Sequence, residues 1–547
     1  VVTPTVQAGE RIVFAASNGT VEAHIQVSFD GARSGGEFGW LIPLPSMPTL
    51  ELGTEELFNA LGKKTQLEFV LTKQDVCAKV PAAARSSAGC GCDEFSGGYY
   101  GEGWSGPRDG GGFQDIAGRP NPVTVAGAVG PFDYAVLKAD DPTAVRDWLK
   151  TNRFFVPAGT DAALTRYLHP GAFILALRLD PTAIAGEIQP LVVRYASDLP
   201  MIPITLTSVG ATPGMPITVW VLGPARAIPR NYYHLVLNDA LLDWSNRANN
   251  YLAVLRRAAA EAPGKHGFST EYAGPSAIME DVLDPPGRFG DTNVLATIKD
   301  PVKYVVYLRD HGYPLDVNNL RAILFRYIPM PIALSMMNVT SEDFYRRIDY
   351  WLGEWRNAHP GVLPDWYPRA IDPVAVTADI TARVIAPTLA AARLFSDHKQ
   401  LTRLFTTLDP ADMTVDPVFS FNPDLPNVPL RREAKLAIGC GDGTLHTPAG
   451  LSVPYPDGDT PPKLPTMPAA LRIETLREAG PPEIVTDNQS AIVTALGGMA
   501  GGNKDGGDSD GGISLAPKRR GTDRGLAVLL TPMLFGLLRL SRRRRAH

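Results

Sequence analysis

The sequence predicts an α+β protein. It should have a β-rich N-terminal domain with short helices, then a mainly helical region. An extended Gly/Pro-rich segment and tether and a short C-terminal apolar helix should follow. Three observations carry this. Val21, Ala23, Ile25, Val27 and Phe29 alternate with Glu22, His24, Gln26 and Ser28, the period of two of a half-buried strand. Residues beyond about 230 change to helical spacing, with Leu237, Leu241, Trp244, Tyr251, Leu252 and Leu255 as the first run. At 547 residues the chain is too long for one ordinary core. The boundaries implied are 1–229, 230–408, 409–517 and 518–547.

Taken in order, Arg11–Ala16, the turn Asn18-Gly19 and Thr20–Phe29 read as a β-hairpin. On that pattern His24 falls on the wet face. Phe38–Leu44 is a strand, Thr54 caps a helix carrying Leu57, Phe58 and Leu61, and Gln66–Lys73 returns as a strand. Val123–Val129 and Phe132–Lys138 are strands, and Asp141 caps a helix with Pro142 in its first turn. Ala162–Leu168 makes a short helix. Phe173–Leu179, Gln189–Tyr195, Ile204–Val209 and Ile217–Leu222 read as grouped strands. Helices are expected over Leu235–Ala260, Phe344–Trp355 and Val374–Phe405, the last interrupted at Pro387. Trp351, Trp355, Trp366 and Tyr367 belong to that helical core. Gly497–Gly512 reads as a flexible tether. Its aspartates lack the glutamate at the twelfth position that an EF-hand needs.

Cys77, Cys90, Cys92 and Cys440 form an even set. Cys90-Gly-Cys92 lacks zinc-knuckle spacing and has no histidine beside it, so two disulfides in an oxidising compartment are expected and no metal. A Cys90–Cys92 bridge would be strained, so one of the two should reach Cys77 or Cys440. Between these cysteines and Gly112 the chain is glycine-rich and carries Tyr99, Tyr100 and Trp104. It reads as a solvated loop or as an aromatic contact loop.

The tail carries the clearest signal. Gly525–Leu538 holds no charge and includes Leu526, Leu530, Leu534, Phe535 and Leu538; Arg542, Arg543, Arg544 and Arg545 follow it. That pattern is a membrane stop with its arginines on the cytoplasmic side. Fourteen helical residues span about 21 Å against roughly 30 Å of hydrocarbon, which leaves a buried core helix or an interfacial helix open as alternatives. From Lys518 on, nine basic residues meet one acid, Asp523, for +8; the net charge of −5 therefore leaves −13 on residues 1–517. An acidic body offers no face to nucleic acid, whereas the arginines suit anionic lipid. With a membrane stop at the far end and Val1 at the start, a removed secretory leader is the economical expectation.

No HExxH or P-loop motif occurs, and no cofactor is expected. The leading reading is an exported, membrane-tethered envelope protein that binds an envelope protein or glycan. The alternative is a hydrolase using a carboxylate pair such as Glu271 and Asp416.

Several stretches resemble the bacterial secreted family termed domain of unknown function 2330. They are Gln7-Ala8-Gly9-Glu10-Arg11-Ile12-Val13-Phe14, Phe38–Pro45 (FGWLIPLP), Gly130-Pro131-Phe132-Asp133-Tyr134, Phe268-Ser269-Thr270-Glu271-Tyr272 and Met413–Phe419 (MTVDPVF). The resemblance would cover most of residues 5–430. It implies export and an envelope location, and it supplies no catalytic residues. The tail is similar to C-terminal sorting signals of Gram-negative envelope proteins, without their glycine-cysteine signature.

Overall fold

In a computed structural model, which describes residues 7–29, 39–77, 113–114, 121–154, 160–179, 189–358, 360–362 and 370–501, the first hairpin forms as expected. Asn18 and Gly19 both take left-handed φ, 52° and 72°, the turn geometry that matches strand twist. Strands Gln7–Ser17 and Thr20–Phe29 pair from Ser17↔Thr20 to Gln7↔Phe29. Thr54 and Asp141 accept hydrogen bonds from the first backbone N–H groups of helices Glu55–Lys64 and Pro142–Thr151, satisfying donors that a helix start leaves orphaned.

The hairpin sits in a ten-stranded mixed sheet. From one edge the order is Glu483–Asp487, Ala470–Thr475, Tyr233–Leu237, Gly267–Pro275, Gln400–Leu408, Met215–Gly223, the hairpin, Leu191–Ala196 and Thr49–Leu52. One face, with Ile12, Phe14, Ile25, Val193 and Ile217, packs on a second sheet built from Gly39–Leu44, Phe173–Leu179, Phe132–Lys138 and Val123–Val129. The other face, with Val13, Ala15, Trp220 and Leu222, packs on Leu57, Phe58 and Leu61 of one helix and on Leu394 and Phe395 of another, Ala386–Asp397. Each strand alternates, yet both of its faces are covered.

Three expectations are corrected, the first two by that double cover. His24 pairs across from Val13 and is only 2% exposed, because helices lie over the face that the alternation marked as wet. Its Nε2 stands 2.7 Å from the Glu22 carboxylate. Gln400–Leu408 is a central strand, not the end of a helix. It is buried on both sides, so it shows a nearly continuous run rather than a period. Ile204–Thr207 is a short helix instead of a strand.

The expected boundaries near 229 and 408 do not interrupt this sheet. The chain divides into two compact units at Ala500/Gly501. The helical region runs from Thr292 to Asp397; Leu235 already lies in a strand, and Tyr251–Glu261 forms the helix that follows. Trp351 packs partly buried in the helical core, while Trp366 and Tyr367 lie outside the described residues. The segment after 409 is extended, as read, and pairs into sheets as far as Asp487; the expected tether, Gly497–Gly512, begins within the helix Gln489–Gly501, and from residue 502 on it lies outside the described residues. Arg431–Ile438 pairs in parallel with Glu68–Asp75, Gly443–His446 and Ser452–Tyr455 complete that four-stranded sheet, and two later strands join the main one.

Pro387 widens its helix rather than breaking it. A proline has no N–H to give the carbonyl four residues back, and its ring crowds that carbonyl. Here the carbonyl belongs to Arg383, and Thr381–Ile385 is a π-helical turn. The Gln189 and Asn319 side-chain amides both donate to it, each at 2.9 Å. Asn319→Leu is expected to lower stability by about 0.5–1.5 kcal/mol, the net worth of one hydrogen bond, since Gln189 still donates to that carbonyl; a urea midpoint equal to wild type would refute this. Among the described residues Pro373–Asp397 is the one helix long and apolar enough to cross a membrane. Val376, Ile380 and Val384 pack into the helical core, and Leu394 and Phe395 pack under the main sheet, as a core helix does.

Candidate ligand cavity

The inward face of the first strand reads Glu10, Ile12, Phe14. Period-two geometry therefore places one carboxylate on an apolar wall, and Glu10 is 4% exposed. Where this face meets the second sheet, the two do not close fully. A cavity of about 280 Å³ remains, close to the smaller ligand pockets of proteins. One wall is Glu10, Ile12, Phe14, Ala23, Ile25, Val193 and Tyr195; the other is the run Trp40–Pro45. Tyr167, His169, Ala172 and Ser197 also line it.

The polar groups around it are held by neighbours. Tyr167 Oη donates to Asp416 Oδ2 at 2.6 Å, and Asp416 Oδ1 accepts from the Thr205 backbone N–H at 2.9 Å. Burial and the adjacent Asp416 push the Tyr167 phenol well above its ordinary range, so it remains a donor. Burial does the same to Tyr195. His169 Nδ1 lies 3.3 Å from the Pro170 carbonyl, on an exposed side chain. The site is a mostly apolar slot with a few fixed polar groups. That composition binds and orients a ligand.

The carboxylate pair raised from sequence does not assemble. Asp416 is engaged as above, while Glu271, 3% exposed, belongs to a different cluster. Tyr251 Oη donates to Glu271 Oε1 at 2.8 Å, and Arg403 Nε forms an ion pair with Oε2 at 2.6 Å. Burial raises the Glu271 carboxyl against the pull of Arg403. Arg403 also donates to the Thr65 carbonyl at 2.7 Å and lies over the Trp220 ring.

Cys77 and Cys440 form a disulfide, their Cα atoms 5.1 Å apart. Parallel pairing brings them together, since Asp75 stands opposite Ile438. This overturns the expectation that Cys90 or Cys92 reaches one of them. Cys90, Cys92, the loop residues Tyr99, Tyr100 and Trp104, and the whole tail from Leu526 to Arg545 lie outside the described residues. Among the described residues no group of acidic, histidine or cysteine side chains is placed to hold a metal. Sequence reasoning missed the cavity, although its signal was present: a glutamate in the inward register of an apolar strand.

Of the motif stretches, Gln7–Phe14 and Gly39–Pro45 build the two walls. Phe268 and Phe419 pack edge-on at 5.7 Å, and Phe14 lies 6.2 Å from Phe419, so the more distant stretches meet in the core between the sheets, and Val418 lines the cavity. No curated protein and no solved structure matches the chain. The family described as an uncharacterized protein conserved in bacteria, domain of unknown function 2330, matches residues 6–286, about half of the sequence, and the chain belongs to that family.

Proposed function

We propose that this is an exported bacterial envelope protein, held at a membrane by Gly525–Leu538, whose body binds a small apolar molecule between its two sheets. The observation that carries the binding role is the cavity walled by Gln7–Phe14 and Gly39–Pro45. Empty apolar space in a core costs stability, so a folded protein that keeps it gains when a ligand fills it. The Cys77–Cys440 bridge agrees with an oxidising compartment. The uncharged run ending in Arg542–Arg545 supports the membrane attachment.

Deleting residues 525–547 is expected to move the protein from the membrane to the soluble fraction with its fold intact. The released body is expected to bind benzene saturably, with a melting temperature that rises with benzene concentration. Ala23→Met, which projects into the cavity, should remove that rise. A deleted protein that stays with the membrane overturns the tether, and a melting temperature indifferent to benzene overturns the binding role.

A further inference from the structure

The helical region carries a second apolar feature, on its surface. Ile332, Met336 and Met337 are 78%, 82% and 68% exposed, more than any other large apolar side chain among the described residues. They are also neighbours. Ile332 and Met336 stand four apart on the short helix Ile332–Met336, one above the other, and Met337 follows at its cap. Met330 behind them is buried, and Leu334 and Val339 pack half-buried on the helical core, so an anchored base presents the tip. Between Arg326 and Glu342 the chain carries no charge. Apolar side chains exposed singly are ordinary, whereas a group of them marks a contact.

The backbone of the tip says what kind of contact. Pro329 and Pro331 bring no N–H. The N–H groups of Leu334, Ser335, Met337, Asn338 and Val339 donate to the carbonyls of Pro331, Leu334 and Ser335, and Ser335 Oγ donates to the Ile332 carbonyl at 2.7 Å. A protein groove can supply partners for such groups; hydrocarbon cannot, and a segment entering it must satisfy them internally. The first charges beyond the tip are answered too, Glu342 by Arg346 at 3.1 Å and Asp343 by Arg347 at 2.8 Å. A tip of three side chains falls far short of the roughly 20–30 residues a side of a stable protein interface, and lipid asks for no matching surface. We infer that Ile332, Met336 and Met337 enter a lipid surface to the depth of the headgroup–acyl boundary. This rests on the membrane attachment proposed above: a tether keeps the body at high effective concentration near the bilayer, so a small apolar tip suffices to engage it.

Methyl resonances of carbon-13 methionine test it, in the full chain held in nanodiscs of phosphatidylcholine and phosphatidylglycerol in equal parts. Met336→Leu and Met337→Leu assign the two signals. With a spin label on the lipid acyl chain, both are expected to broaden about tenfold more than that of Met47, because an interfacial apolar face sinks ~5–10 Å below the headgroups. Met47, 37% exposed between two strands of the β-rich part, reports chance encounters. Ile332→Asp, at a side chain the fold does not bury, should bring both signals to the Met47 level while the chain still elutes with the discs. A chain that elutes with the discs and whose three signals broaden alike overturns the lipid contact and leaves the tether. One that does not elute with them overturns both. Equal broadening of Met336 and Met337 in discs of unlabelled lipid assigns the tip to a second copy of the chain and overturns the inference.

Discussion

Glu271→Ala is expected to lower stability by about 3–5 kcal/mol, the largest effect of any single polar truncation predicted for this protein. Removing one partner of a buried ion pair leaves the other charge desolvated and unanswered. Here Arg403 would lose the carboxylate 2.6 Å from its Nε, and Tyr251 the acceptor of its hydroxyl. Arg403 would keep its bond to the Thr65 carbonyl, which replaces only part of the loss. Replacing both members, Glu271→Met with Arg403→Met, should recover much of the deficit, because neither charge of the pair is then left without the other. Urea unfolding of the three variants gives the comparison. A single variant that loses under about 1 kcal/mol would show that the pair is solvated, as exposed pairs are.

Reducing the Cys77–Cys440 bridge should lower stability by about 2–5 kcal/mol. The bridge joins residues 363 positions apart and so restricts the unfolded chain over most of its length. Dithiothreitol is expected to lower the urea midpoint of the wild type and to leave that of Cys77→Ser unchanged, already at the reduced value. A wild-type midpoint indifferent to reductant would mean that the bond does not form.

The local elements were legible because their causes are local. The Asn18-Gly19 turn, the Thr54 and Asp141 caps and the alternation of Thr20–Phe29 all act within a few residues, and each appears where the sequence places it. What could not be read was which surfaces other segments would cover. Alternation marks one face of a strand as polar, but it does not say that a helix lies over that face, and so His24 is buried. Gln400–Leu408 lost its period by being covered on both sides. The cavity is the product of two sheets whose strands are far apart in the chain. Glu10 gave a local hint of it, whereas the opposite wall, Trp40–Pro45, read only as an apolar strand ended by prolines. Asp416 and Glu271 were plausible partners in composition; their separation is decided by Tyr167, Thr205, Tyr251 and Arg403, none adjacent to them in sequence.

The place of Gln400–Leu408 between Met215–Gly223 and Gly267–Pro275 also bears on how the chain is made. A ribosome adds about 5–20 residues per second, so the interval between Gly223 and Gln400 takes on the order of 10–40 s. Throughout it the nascent Met215–Gly223 strand has no neighbour on that side, and its unpaired edge is open to any other strand. The N-terminal half therefore cannot finish folding as it emerges. A polypeptide that waits this long for its central strand carries an open sheet edge until the strand arrives.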